Sequence, residues 1–420
     1  MSYSRGGILR SNLSSGLPTR VLDWNDYEGI PVQPCNDYYL PLNSALPLTI
    51  PWLYDYDITV GQGGREIRTP QRKAPHNLSL HEEIVAFIAY MTPTEHEIEI
   101  RKDLVGRFSK LVESFGLPTS SPEPYGSYIT GLFLSTSDVD MFVTPHQNQP
   151  QRGILSRISR RLATSPPPQF HTSIKERLMA SVPVITLIDA KTNLSIDLNA
   201  EPMHSKASTQ AVISWLRRGG HSDGDAIMRM LVIVVKTFLA IRRCGTTYKG
   251  GVNSYVVVWL VVAWVNLELP KLRKRKTQDL TPTSGSPAPA SAASSSSDYG
   301  EILIAFLKFY GEEFDYKKKQ IIIDPQPQYA QKSGYQQQPF LLSLIDPADF
   351  SIDLGSKAYA IKHVAASFKE AYKHLMDMET KRLAGDHVGE QGILGSALGG
   401  DFMNYVEERD KLAKMSIASV

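Results

Sequence analysis

Tyr125-Gly126-Ser127-Tyr128-Ile129-Thr130-Gly131-Leu132-Phe133-Leu134-Ser135-Thr136-Ser137-Asp138-Val139-Asp140-Met141-Phe142-Val143 is the stretch on which the fold turns. Its end, 139–143, reads as a strand. Side chains on a strand alternate faces, so Asp138 and Asp140 share one face while Val139, Met141 and Val143 enter a core. Two neighbouring carboxylates repel, and folding tolerates them when a cation or a proton lies between them. Their hard oxygen atoms suit Mg²⁺. Ser127 stands eleven residues before Asp138, preceded by Gly126. Glycine lets backbone N–H groups approach a phosphate, and serine adds a hydroxyl donor.

A third carboxylate follows. Residues 182–188 and 194–198 read as two strands joined by a turn at Asp189-Ala190-Lys191-Thr192-Asn193. In the second strand Leu194, Ile196 and Leu198 take one face, leaving Ser195 and Asp197 on the other. Asp138, Asp140 and Asp197 together can hold two Mg²⁺ (or Mn²⁺) ions about 3.5–4 Å apart, as in-line phosphoryl displacement requires. A lone Asp-x-Asp also occurs in surface loops and in metal-dependent sugar transferases. The upstream Gly-Ser and the acid on a later strand set this one apart.

Around this stretch the chain has 420 residues, 45 Lys and Arg against 43 Asp and Glu, and a net charge of +2. The length suits two or three folded units. With 42% hydrophobic and 21% charged residues, wholesale disorder is excluded. The two cysteines, Cys35 and Cys244, cannot build a disulfide framework or a Cys-rich zinc site, and they point to a reducing compartment. The apolar run 255–265 is too short for about 30 Å of hydrocarbon, so it reads as a core helix and no membrane partner is expected.

Residues 1–77 read as a flexible tail with a local anchor at Pro51-Trp52-Leu53. Its first part carries Arg5, Arg10 and Arg20 without an acid, as transit peptides do, yet lacks an amphipathic stripe. Gly61-Gln62-Gly63-Gly64 reads as a hinge, since no Gly-Lys-Ser/Thr follows. Ser79-Leu80-His81-Glu82 is a capping box opening a helix, and a second helix spans about 95–115. Further on, Lys271-Leu272-Arg273-Lys274-Arg275-Lys276 leads into a Ser-, Ala-, Pro-, Thr- and Gly-rich run. The reading is a disordered insertion over 270–298. The basic hexamer is an RNA-contacting strip, a nuclear import signal or simply a solvated edge.

Gly126-Ser127, Thr130-Gly131-Leu132-x-Leu134 and Ser137-Asp138-Val139-Asp140 resemble the signature of DNA polymerase beta-like nucleotidyltransferases. More closely, the chain resembles the noncanonical poly(A) polymerases of the nuclear TRAMP complex. Leu80-His81-Glu82-Glu83-Ile84 and Glu97-Ile98-Glu99-Ile100-Arg101 resemble that family's first helices. The segments 230–239 and Gly250-Gly251-Val252-Asn253-Ser254-Tyr255 resemble its central domain. Asp346-Pro347, Asp353-Leu354-Gly355 and Tyr359 resemble its nucleotide-recognition motif, and Ile393-Leu394-Gly395 a closing motif.

The resemblance implies an α/β plus α fold, in which a nucleotidyltransferase domain with a mixed sheet (101–220) faces a mostly helical central domain (78–100 and 221–375) across a cleft. Residues 376–420 form a C-terminal extension. The resemblance further implies Asp138, Asp140 and Asp197 as catalytic metal ligands, with Gly126, Ser127, Lys236, Ser254, Tyr255, Asp346 and Asp353 binding the nucleotide. Taken on physical grounds, Lys236 lies in an apolar helix and needs an anionic partner, either phosphate or a structural carboxylate. Tyr255 follows Gly250-Gly251 and is open to core packing or to base stacking. The sequence departs from the family at Ser135, at His204-Ser205 in place of Asn-Gly, at Ile352 and at Ser356.

The activity implied is untemplated addition of AMP to RNA 3′ ends from ATP, in nuclear RNA surveillance, with a zinc-knuckle RNA-binding protein and an RNA helicase as partners. Basic candidates for RNA contact are 271–276, 317–319 and Arg217-Arg218. The alternatives are terminal uridylyl or mixed nucleotide transfer, a mitochondrial location, and a catalytically idle scaffold. Three facing carboxylates argue against the scaffold.

Overall fold

The computed structural model describes residues 49–60, 66–146, 149–218, 223–245, 250–279, 297–332 and 339–416. The expectations for 1–48, for Gly61-Gln62-Gly63-Gly64 and for 280–296 lie outside these residues.

The stretch before the capping box is not merely a tail. Strands β1 (Tyr54–Val60) and β2 (Glu66–Arg72) pair antiparallel. Ile50, Trp52 and Leu53 ahead of them are buried in the main core. Helix α1 (Leu80–Met91) carries the Ser79–Glu82 capping box, and α2 (Glu95–Ser114) a second one, Thr94–Glu97. These caps satisfy backbone donors that a helix start leaves free. α1 packs its Ile84 and Phe87 into the helical core, while α2 turns Ile100, Leu104, Phe108 and Val112 onto a sheet.

That sheet is mixed, in the order β3-β4-β7-β6-β5. Strand β3 (Glu123–Pro124) leads through the short helix α3 (Ser127–Thr130) to β4 (Val139–Phe142). Helix α4 (Gln151–Ala163) covers the same face as α2. Strands β5 (His171–Arg177), β6 (Val184–Asp189) and β7 (Ser195–Asn199) follow, with β6 and β7 joined through Asn193 at φ 60°. Asn tolerates this left-handed conformation better than most side chains. Helix α5 (Pro202–Arg218) starts beside the sheet and ends with Val212, Trp215 and Leu216 in the helical core.

The helical unit is built on α6 (Asp223–Ile241), α7 (Ser254–Leu267), α8 (Leu269–Asp279) and α9 (Tyr299–Lys308). The α7–α8 run is long and apolar enough by composition to cross a membrane, but residues 256–264 are all buried in the core. The basic hexamer is helical, not disordered: it lies on α8, with Lys271 paired to Glu268, Arg273 to Asp223 and Lys276 to Glu301. An apolar flank (Leu269 and Leu272 against the core) is enough to order it.

Two hairpins follow, β8 (Lys319–Ile322) with β9 (Gln328–Gln331), and β10 (Ile345–Asp346) with β11 (Asp349–Asp353). Helices α10 (Ile361–Leu383), α11 (Ile393–Leu398) and α12 (Met403–Ala413) complete the chain. Residues after 376 are not an appendage. Ile393, Leu394, Leu398 and Phe402 are buried in the helical core, and Leu412 reaches the core behind the sheet.

Candidate active site

The parallel pairing of β4 with β7 sets Asp140 directly beside Asp197. Strand alternation buries Val139, Met141, Ile196 and Leu198 on the helix-covered face and turns both aspartates to the other. Asp138 precedes β4 and is hydrogen-bonded by Ser195. The three aspartates of the sequence reading therefore converge. Thr186, opposite Asp197 on β6, donates to its Oδ1 at 2.6 Å, and Arg177 Nη2 lies 3.6 Å from its Oδ2.

Burial, then the charges of Asp197 and Asp138, push Asp140 up to about 7. Asp138 is raised by burial and by Asp197. Carboxylates so placed gain from a divalent cation, and their hard oxygens fit one. Among the described residues, however, no three His, Cys, Asp or Glu side chains close into a ready metal cage. The three aspartates thus form an open donor face. Mg²⁺ commonly completes its shell with phosphate oxygens and water.

Gly126 precedes α3 at φ +66°, and a Cβ there would stand 3.1 Å from Asp140 Oδ2. Its N–H donates to Thr209 Oγ1 at 2.9 Å. Gly126 therefore makes room for the carboxylate, and the donors left for an anion are the Ser127 hydroxyl and the first-turn N–H groups of α3.

Lys236 projects from α6 toward the same face. Its Nζ donates to Leu132 O and Ser137 Oγ, both at 3.3 Å. Burial lowers it to about 8, while Asp140 and Asp138 act in the opposite direction. Lys236 and Ser254 line one small cavity of about 140 Å³ with Ser137 and Tyr405. That is room for a few waters or a phosphate group, not a nucleotide.

Two of the expected nucleotide contacts are corrected. Asp346 is fully buried, and its carboxylate accepts from Tyr255 Oη (2.8 Å), the Ala348 N–H (2.8 Å) and His204 Nε2 (2.9 Å). Asp353 accepts from the Leu344 and Gly355 N–H groups and from Ser343 Oγ. Each carboxylate accepts from three protein donors, so both staple the β10–β11 hairpin. Tyr255 is half-buried, its ring edge-on to Trp259 at 5.6 Å. Gly250 has its own occupant: a Cβ there would stand 2.4 Å from the Tyr359 ring.

Sequence reasoning missed the role of Arg101. This buried side chain, on α2, donates through Nη2 to the carbonyls of Leu134 (3.3 Å), Ser135 (2.5 Å) and Ser137 (3.4 Å), fixing the loop that delivers Asp138. The signal was an arginine among the apolar positions of an amphipathic helix. A larger hollow, about 1000 Å³, lies elsewhere: Arg107, Phe115, Arg161, Phe170 and Lys191 line it on the helix-covered side of the sheet.

Parts of the chain match known protein families, and its fold matches solved structures. Residues 80–213 match the family described as poly(A) RNA polymerase, mitochondrial-like, central palm domain. Residues 298–351 match the Cid1 family poly A polymerase. The chain is 28% identical to the poly(A) RNA polymerase cid14 of Schizosaccharomyces pombe over 72% of its own length and 41% of the relative's. It spans about half or less of the first curated relatives it matches. In fold it is similar to the polymerase core of TRAMP, an RNA surveillance complex (TM-score 0.63, 24% identity, 76% of this chain and 94% of that one). It is also similar to the Cid1 poly(U) polymerase (TM-score 0.55, 18% identity, 71% and 94%).

Proposed function

We propose that the chain is a noncanonical poly(A) polymerase of the DNA polymerase beta-like nucleotidyltransferase superfamily, and that it adds AMP from ATP to RNA 3′ ends without a template. The observation that carries this reading is the face shared by Asp138, Asp140 and Asp197 with Lys236 set against it. In this reading the three aspartates hold two divalent ions, Mg²⁺ or Mn²⁺, which when bound stabilise charge on the attacking and leaving oxygens. Ser127 and the start of α3 bind the triphosphate. Lys236, still mostly protonated at neutral pH, exchanges its bonds to Leu132 and Ser137 for phosphate oxygens. Ser254, at the start of α7, donates to the same group. Tyr255 offers its ring to the base, and Asp346 and Asp353 keep the recognition hairpin in place. The partners proposed are a zinc-knuckle RNA-binding protein and a helicase, and the compartment proposed is the nucleus.

The test is extension of a labelled single-stranded RNA with Mg²⁺ and each nucleoside triphosphate separately. The control is the protein carrying Asp138→Ala and Asp140→Ala. A ladder with ATP, absent from the control, is the expected result. A ladder chiefly with UTP overturns the base assignment, and silence that persists after adding a zinc-knuckle partner overturns the activity.

A further inference from the structure

His204 lies in the first turn of α5, seven residues beyond Asp197, on the sheet side of the cleft. Its Nε2 meets Asp346 Oδ2 at 2.9 Å across 142 residues of sequence. The other oxygen of Asp346 takes the Tyr255 hydroxyl and the Ala348 N–H. One fully buried carboxylate therefore ties three elements together: α5 from the sheet side, α7, and the β10–β11 hairpin. The His204 ring also stands edge-on to Tyr255, centroids 6.5 Å apart. Another bridge from the sheet side to this region, Lys357 Nζ to Ser181 Oγ at 3.3 Å, is exposed. An exposed long-chain contact is weak, whereas a bond to a buried carboxylate is strong.

We propose that His204 and Asp346 form a clasp that holds the recognition hairpin against the start of α5 and fixes the Tyr255 ring, making His204 a positioning residue for nucleotide binding. This rests on the nucleotidyltransferase reading. His204 is partly exposed on its open side, so it can be replaced without opening the core, whereas Asp346 cannot.

The charged and titratable groups facing His204 are Asp346 and Asp349 on the hairpin, Glu201 just ahead of its own helix, and Tyr255 on α7. The bond to Asp346 raises the imidazole above its usual 6.5, and Asp349 and Glu201 act in the same direction. The charged clasp is complete at low pH and is lost as pH rises through that raised value. Above it a neutral imidazole leaves only an ordinary hydrogen bond. The difference between a charge-assisted and a neutral bond corresponds to about fivefold in affinity.

The experiment compares wild type, His204→Ala and His204→Asn from pH 6 to 8.5. It reads KM for ATP, KM for RNA and kcat in the extension assay, and the Mg-ATP-induced shift in Tm. His204→Ala is expected to raise KM for ATP about tenfold at pH 6, with kcat and KM for RNA changed less than about threefold. The ratio of variant to wild-type KM falls by about fivefold toward pH 8.5. His204→Asn restores part of the affinity without the pH dependence. An unchanged KM for ATP in His204→Ala, or a ratio flat across pH, overturns the clasp. Failure of the parent reading looks different: wild type extends no RNA with any nucleotide. The ATP-induced Tm shift then still reads the clasp, and equal shifts in wild type and His204→Ala, or none in either, overturn it.

Discussion

At Asp140, burial and the charges of Asp197 and Asp138 act together, with Lys236 opposing them. Its folded-state value near 7 lies above the ordinary 3.8, so its contribution to stability is present at low pH and is lost as pH rises through about 7. Without metal, Tm is expected to fall between pH 6 and pH 8, and Mg²⁺ to raise it more at pH 8 than at pH 6. Scanning fluorimetry with and without Mg²⁺ reads this directly. The same repulsion predicts that Asp140→Asn abolishes extension while raising the metal-free Tm by about 2–5 °C at pH 8. Arg101→Lys removes the Nη2 group that holds the carbonyls of Leu134, Ser135 and Ser137 and puts a shorter side chain in its place. Steady-state kinetics are expected to show kcat reduced about 10–100-fold and KM for ATP little changed.

Among the elements, α1 depends on a carboxylate that faces inward. Glu83 is buried and accepts from the N–H groups of Ile393, Leu394 and Gly395 and from Trp52 Nε1. Glu83→Ala strands those donors and is expected to cost about 3–5 kcal/mol. Urea unfolding would measure the loss, and hydrogen exchange would show 393–395 losing protection first. The catalytic strands were legible because alternation is local: Asp138-Val139-Asp140 and Ser195-Ile196-Asp197 each declare a face within a few residues. The Ser79–Glu82 box was legible for the same reason. Direction was not legible where a carboxylate's donors come from afar. Asp346 and Asp353 read as ligand contacts, yet Tyr255 and His204 on other helices, and Ser343 ten residues away, take up their oxygens. The β1–β2 hairpin was missed because its alternating Tyr, Asp, Arg and Thr residues carry little apolar signal.

On the scale of the whole molecule, two cores stand side by side, one behind the sheet and one inside the helical unit. Helix α12 touches both. Leu412 joins the core behind the sheet, Tyr405 lines the cavity at Lys236, and Arg409 meets Glu97 and the Thr92 carbonyl on the α1–α2 side. Leu412→Ala, which empties part of the core behind the sheet, is therefore expected to cost about 2–5 kcal/mol, measurable by urea unfolding.

The three backbone donors of Glu83 lie 310 to 312 residues further along the chain. A ribosome makes the chain from its N-terminus at about 5–20 residues per second, so α1 waits roughly 15–60 s for the segment that completes it. Throughout that interval Glu83 keeps its water, and the apolar face of α1 has no lid from α11. The helical unit is sealed by a piece translated some 310 residues after Glu83, and a nascent chain halted before Ile393 is one that chaperones and proteases still find open.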